Sequence, residues 1–192
     1  MFIWISRVSA ALVLSGCVAG GAGFSGASRS APILGGTMVL GVPRGYCVDQ
    51  AASQSGDDSA VMIIGRCSDA GDVAPAAITA TVGETGSAAV MQAGMPALAA
   101  YFSSDEGRAA LSREGLAEAV AVQDIRAADS VLILHLTDRA VGEYWRAVMG
   151  LRGRLVTLAV TPPDGQPLTA EDGKRLLDQA IAAMQAANPA AV

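Results

Sequence analysis

The sequence predicts an α+β fold: a single domain whose mainly antiparallel sheet carries short central helices and a C-terminal helix packed on it. Three observations lead there. Short β-branched or alternating apolar segments stop at glycine, proline or acidic turns, as strands do. Helical spacing appears only in the middle of the chain and at its end. No regular strand–helix alternation runs through the sequence, so a parallel, doubly wound sheet is not expected.

The 192 residues suit one domain of ordinary size. With 52% hydrophobic and 16% charged residues the chain can fill a core, and wholesale disorder is excluded. Lysine and arginine total 13 against 18 acids, and the net charge of -5 offers no general attraction for nucleic acid.

At the start, Arg7 precedes the apolar run Val8 to Leu14, which is far shorter than the roughly 20 residues that span a bilayer. It reads as an export signal, and its ending Leu14-Ser15-Gly16-Cys17 resembles the lipobox of bacterial lipoproteins. The resemblance implies diacylglycerol on the Cys17 sulfur, cleavage after Gly16 and acylation of the new amino group. Acyl chains contribute about 0.8 kcal/mol per buried methylene, so two or more make a durable anchor. Val18, rather than aspartate, follows the cysteine, and by the same resemblance this directs the protein to the outer membrane, facing the periplasm. Residues 1–16 are thus expected to be the signal peptide. Residues 17–36 are read as the lipidated cysteine and a Gly/Ala/Ser tether, too poor in large side chains to offset ordering entropy. Residues 37–192 form the globular domain.

Within that domain, Thr37 to Val42, Ser59 to Cys67 and Ala77 to Val82 read as strands, the last alternating Ile78, Ala80 and Val82 with Thr79 and Thr81. From Pro96 to Leu111 the period becomes helical, and Ser103 with Glu106 has capping-box spacing, which divides the segment into two short helices. Strands follow over Ala119 to Arg126, Val131 to Thr137, Tyr144 to Met149 and Arg154 to Thr161, with Gly150-Leu151-Arg152-Gly153 as the connection between the last two. Pro162-Pro163 ends the sheet. Thr169 with Asp172 caps a closing helix whose Leu176, Leu177, Ala180, Ile181 and Met184 share one face.

Once lipidation takes Cys17, Cys47 and Cys67 remain as an even pair in an oxidising compartment, and a disulfide is expected. A fold-back centred on Asp57 sets the two cysteines opposite each other, and a loop of that size contributes on the order of 3 kcal/mol. Two cysteines with no nearby histidine are too few for a metal site.

Catalytic groups are scarce. The one histidine, His135, lies inside Val131-Leu132-Ile133-Leu134-His135-Leu136 and reads as a packed or edge residue. The acid pairs Asp57 and Asp58, Asp69 and Asp72, and Asp105 and Glu106 sit where turns or a helix start favour carboxylates. No phosphate-cradling or dinucleotide fingerprint is present, and neither a metal nor a cofactor is expected. Tyr144-Trp145-Arg146, with Arg152 and Arg154 across the hairpin, is the one candidate patch. Arginine forks suit carboxylates and phosphates, so anionic lipid, lipid A or peptidoglycan are the partners it would take. A solvated hairpin with cross-strand ion pairs is the alternative.

The segments Gly45-Tyr46-Cys47-Val48-Asp49, Gly65-Arg66-Cys67, Tyr101-Phe102-Ser103-Ser104-Asp105-Glu106-Gly107-Arg108, Tyr144-Trp145-Arg146 and Gly153-Arg154-Leu155-Val156-Thr157 together resemble a group of small alphaproteobacterial lipoproteins of unknown function. The order of elements is similar to domains of the Mog1 and PsbP type. The expectation is a non-enzymatic lipoprotein, anchored to the membrane by its N-terminal lipid, that assists envelope assembly or binds an envelope protein or the cell wall. The alternatives are a small-ligand carrier, which needs a pocket between sheet and helix, and a hydrolase using His135 with a neighbouring carboxylate.

Overall fold

In the computed structural model, which describes residues 30–189, β1 (Ser30–Ile33) and β2 (Met38–Gly41) form a hairpin of their own. The remaining strands are β3 (Tyr46–Ser55), β4 (Ala60–Arg66), β5 (Ala77–Val82), β6 (Val120–Ala128), β7 (Val131–Asp138), β8 (Gly142–Leu151) and β9 (Arg154–Thr161). They pair in the order β3-β4-β5-β9-β8-β7-β6, every neighbour antiparallel. After β5 the chain passes through α1 (Met95–Ser103) and α2 (Asp105–Leu111) to the far edge, then works back strand by strand until β9 meets β5. Helix α3 (Ala170–Ala187) closes the domain. The α+β class and the antiparallel sheet are as the sequence predicts.

Strand alternation divides the core into two layers. Ile78, Ala80 and Val82 of β5, with Val156, Leu158 and Val160 of β9, are buried in one cluster with Leu176, Leu177, Ala180, Ile181 and Met184 of α3. The β1–β2 hairpin supplies Ile33, Leu34, Met38 and Leu40 to the same cluster. Helix α3 can lie close to β2 because residue 41 is glycine: a Cβ there would fall on the Ala183 carbonyl. On the opposite face a smaller cluster joins Leu98 of α1 and Leu111 of α2 to Leu132, Leu134 and Leu136 of β7 and to Tyr144 and Val148 of β8.

Local details correct the sequence reading. Ser30 to Gly36, assigned by composition to the tether, belong to the fold. Ala31 and Ile33 are buried, and Leu34 turns the hairpin with φ 54° while its side chain is sealed in the core. Burial against α3 supplies what the small side chains lack. Strand β3, unassigned from sequence, runs to Ser55 across a bulge between Asp49 and Gln54, where the Asp49 carboxylate accepts from the amides of Ala51 at 3.0 Å and Ala52 at 3.1 Å. The bulge shifts the register, so Cys47 stands opposite Gly65 and not Cys67. The Cys47–Cys67 disulfide forms on the diagonal, with Cα atoms 5.2 Å apart. Ser104, not Ser103, caps α2 by accepting from the Gly107 amide at 3.2 Å; the Ser103 hydroxyl instead donates back to the Ala99 carbonyl at 2.9 Å. Strands β8 and β9 pair out to Leu151 and Arg154, leaving Arg152 and Gly153 at positive φ as a two-residue turn, tighter than the connection expected.

Candidate functional site

Cys17 lies outside the described residues. The three arginines of the predicted patch all lie within them, and the structure separates them. Arg154 shares the inward face with Val156 and is 93% buried: it pairs with Asp58 at 2.8 Å and donates to the carbonyls of Asp58 and Gly83 and to the Thr85 hydroxyl. It therefore ties the β3–β4 turn to the segment after β5, a bracing task that leaves it no free fork. Arg152 sits exposed in the β8–β9 turn at φ 50°. Arg146 is opposite Leu134 and Ala159 on the other face of the sheet, its guanidinium carbon 5.8 Å from the Tyr144 ring centroid. Residues 146 and 154 have the same parity, but they lie on successive strands whose register of Leu151 with Arg154 sends them to opposite faces. That register is a tertiary fact which composition does not carry.

His135 stands beside an acid, as the hydrolase alternative asks: its Nε2 lies 2.6 Å from Glu143 Oε1. The ring stacks on Trp145 with centroids 4.0 Å apart and planes 2° from parallel, and Trp145 in turn donates its indole N–H to the Ala170 carbonyl at 2.9 Å. Among the described residues, however, no serine, threonine or cysteine hydrogen-bonds to His135, and the ring lines neither the cleft beside α3 nor the hollows beside α2. Cross-strand pairing of His135 with Trp145 accounts for the ring's place.

A cleft of about 930 Å³ opens between α3, the β2–β3 connection and the loop after β4. Residues Asp172, Arg175 and Gln179, at helical spacing on α3, form one side; Arg44, Asp69 and Asp72 bring charge from the loops. The loops are firmly held. The disulfide joins the first residues of β3 to the residue after β4, and the Cys67 amide donates to the Gly45 carbonyl at 3.0 Å. Gly45, at φ 85°, lets Val73 press against the backbone; a Cβ there would come within 2.7 Å of Val73 Cγ2. Tyr46 donates to the Ala74 carbonyl at 2.7 Å, and burial pushes its phenol above the ordinary range, so the donor stays protonated. On the helix side, the Thr169 hydroxyl and then the Arg175 guanidinium hold the Asp172 carboxyl below the usual carboxylate range. Charges of both signs line this cleft, which suits a polar partner with its own mixed charges better than a simple ion. A second, shallower hollow of about 450 Å³ lies between α2 and β6, beside Arg108 and Glu118.

The sequence pointed to the disulfide and to the apolar stripe of α3, but not to the opposite, cleft-facing edge of that helix. The i, i+3, i+7 spacing of Asp172, Arg175 and Gln179 was the available signal, and it is indistinguishable from a solvated helix face until the loops are seen against it. Among the described residues no group of three or more histidine, cysteine, aspartate or glutamate side chains converges as a metal site. Comparison with protein-family models, with curated proteins and with solved structures returns no match, so the site is read from its own geometry.

Proposed function

We propose that this chain is an exported lipoprotein, lipidated at Cys17 and held on the outer membrane facing the periplasm, whose domain binds another envelope component through the cleft beside α3. The observation that carries this reading is the disulfide at the cleft wall. A covalent tie between Cys47 and Cys67 fixes the two loops that frame the cleft, which lowers the ordering cost of binding, and a disulfide persists in an oxidising compartment such as the one a lipobox implies. Among the described residues no helix is long and apolar enough to cross a membrane, and attachment in this reading is through the acyl chains. A non-enzymatic role fits a site made of paired charges and rigid loops.

The small-ligand carrier is the second reading. It is supported by the same cleft, whose size lies within the range of ligand sites.

Two measurements test the proposal. Mass spectrometry of the mature amino terminus should find Cys17 first and acylated, and Cys17→Ser should leave the precursor unprocessed. Photocrosslinkers placed at Arg44 and Gln179 in intact cells should trap one envelope component that a crosslinker at the distant, exposed Glu114 does not. A mature chain starting elsewhere without lipid refutes the anchor, and identical products from all three positions refute the cleft as interface.

A further inference from the structure

On the sheet face away from α3, the helices α1 and α2 cover β6 to β8, and beyond the end of α2 the sheet is open. There a cavity of about 260 Å³ is bounded by Arg146, Arg113 and the threonines 79, 81, 157 and 161 of β5 and β9. Its lining includes two arginines and no carboxylate, whereas the cleft beside α3 mixes both signs and the whole chain carries -5. Among the described residues neither Arg146 nor Arg113 enters an ion pair. The Arg146 Nε is sealed from solvent with no acceptor, a costly state for a charged donor. The face of the Tyr144 ring, its centroid 5.8 Å from the guanidinium carbon, steadies the charge but offers no lone pair.

The threonines add hydroxyls to the same wall. Thr81 stands directly opposite Thr157, and among the described residues neither they nor Thr79 hydrogen-bond through their hydroxyls. On the covered face the same two strands carry isoleucine, alanine, valine and leucine. Thus β-branched shape is kept on both faces while hydrogen-bonding capacity is confined to this one.

We infer that this cavity binds a small oxyanion, a carboxylate or phosphate group, between the guanidinium groups of Arg146 and Arg113 and the threonine hydroxyls of β5 and β9. Planar guanidinium forks match both anions, and the volume, roughly nine waters at about 30 Å³ each, admits the group with a few carbon atoms attached. The inference stands apart from the cleft beside α3 and from the lipid anchor.

The test uses the full chain in a non-ionic detergent, titrated separately with inorganic phosphate and with glutarate at constant ionic strength while amide resonances are followed by NMR. Saturable shifts at Thr79, Thr81 and Thr157 are expected. Arg146→Gln and Arg113→Gln should each weaken binding about tenfold or more, and Arg152→Gln, outside the cavity, should leave it unchanged. Preference for phosphate names a phosphoryl ligand and preference for glutarate a carboxylate; either supports the site. Should Arg146→Gln lose its native circular dichroism, the exposed Arg113 variant decides alone. The inference is overturned if chloride reproduces the shifts, if no saturable shift appears up to about 20 mM of either anion, or if Arg113→Gln binds as the parent does.

Discussion

On one face of the seven-stranded sheet, α3 and the β1–β2 hairpin bury Ile78, Val82, Val156 and Leu158 in a continuous apolar layer; on the other, α1 and α2 cover only β6 to β8 and leave Thr79, Thr81 and Thr157 beside Arg146. The same strands serve both faces, so the difference lies in alternate residues and not in the backbone. One face is finished for stability. The other keeps polar groups that the fold itself does not use, and such groups are where a ligand can act. The disulfide lies at the end of the sheet, where Cys47 and Cys67 line the cleft beside α3 and not the open threonine face.

The two faces differ most at neighbouring positions of β5. Ile78→Ala should cost about 2–5 kcal/mol, because a fully buried side chain leaves a cavity against β9 and α3. Thr79→Ala, one residue along and facing the open side, should stay within about 1 kcal/mol. Urea unfolding of both variants with unchanged m-values measures the contrast. Similar losses would mean that the open face is packed in solution by something the domain carries with it.

Replacing Cys47 and Cys67 together by serine should lower stability by about 2–5 kcal/mol. The thermal midpoint of the parent should fall on reduction, and that of the variant should not respond to reductant. The loss should concentrate at the loop ends: hydrogen exchange should rise at Gly45 to Cys47 and Cys67 to Val73 while the amides of β8 and β9 keep their protection.

At the sheet's end the contrast lies between two arginines: Arg154 is buried and braces the fold, while the Nε of Arg146 is buried without an acceptor. Arg154→Ala should cost about 2 kcal/mol through the carbonyls of Asp58 and Gly83 left without a donor. The acid limb should change as well. The Thr85 amide, the Thr85 hydroxyl and Arg154, in that order, hold the Asp58 carboxyl below its ordinary value of 3.8. A depressed folded value gives stability that is present above about pH 4 and lost as pH falls through the folded value. Arg154→Ala should narrow that acid-sensitive window without closing it, because the Thr85 amide remains. Unfolding followed from pH 5 to pH 2 reads this directly.

How much of this was legible in the sequence follows from how local each signal is. Alternation in Ala77 to Val82 gave both faces of β5, and Thr169 with Asp172 gave the start of α3, because both depend on residues close in the chain. The tether boundary failed at Ser30, where Ala31, Ile33 and Leu34 owe their order to a helix some 150 positions away, as the Asn188 side chain bonded to the Val39 amide at 3.0 Å illustrates with a separation of 149. The cysteines paired as expected although the register did not, since the Asp49 bulge is set by an Asx turn that a period-two count cannot see. The arginine patch dissolved for a related reason: two strands and a two-residue turn decide which face each guanidinium meets. None of the three cavities could be read in advance, because each is made by segments that meet only in the fold.

The smallest expected effect is at the cap of α3, on the stabilised side. Thr169 Oγ1 accepts from the Asp172 amide at 3.1 Å and donates to the Asp172 carboxylate at 2.7 Å, so one hydroxyl both ends the helix and holds the acid that meets Arg175 at the cleft. Thr169→Ala should cost about 1 kcal/mol, the usual worth of such a cap. It should also raise the Asp172 carboxyl toward 3.8, because the Thr169 hydroxyl is the foremost cause of its depression and the Arg175 ion pair the next. By the linkage sign, Asp172 stabilises the fold above about pH 4 and ceases to do so as the pH falls through its lowered folded value, so the variant should lose less stability than the parent across that interval. Thr169→Ser, which keeps the hydroxyl, should restore both the stability and the carboxyl titration seen by NMR. If Thr169→Ala moves the stability but not the Asp172 titration, the acid is held by Arg175 alone, and the cleft's charge is independent of how the helix begins.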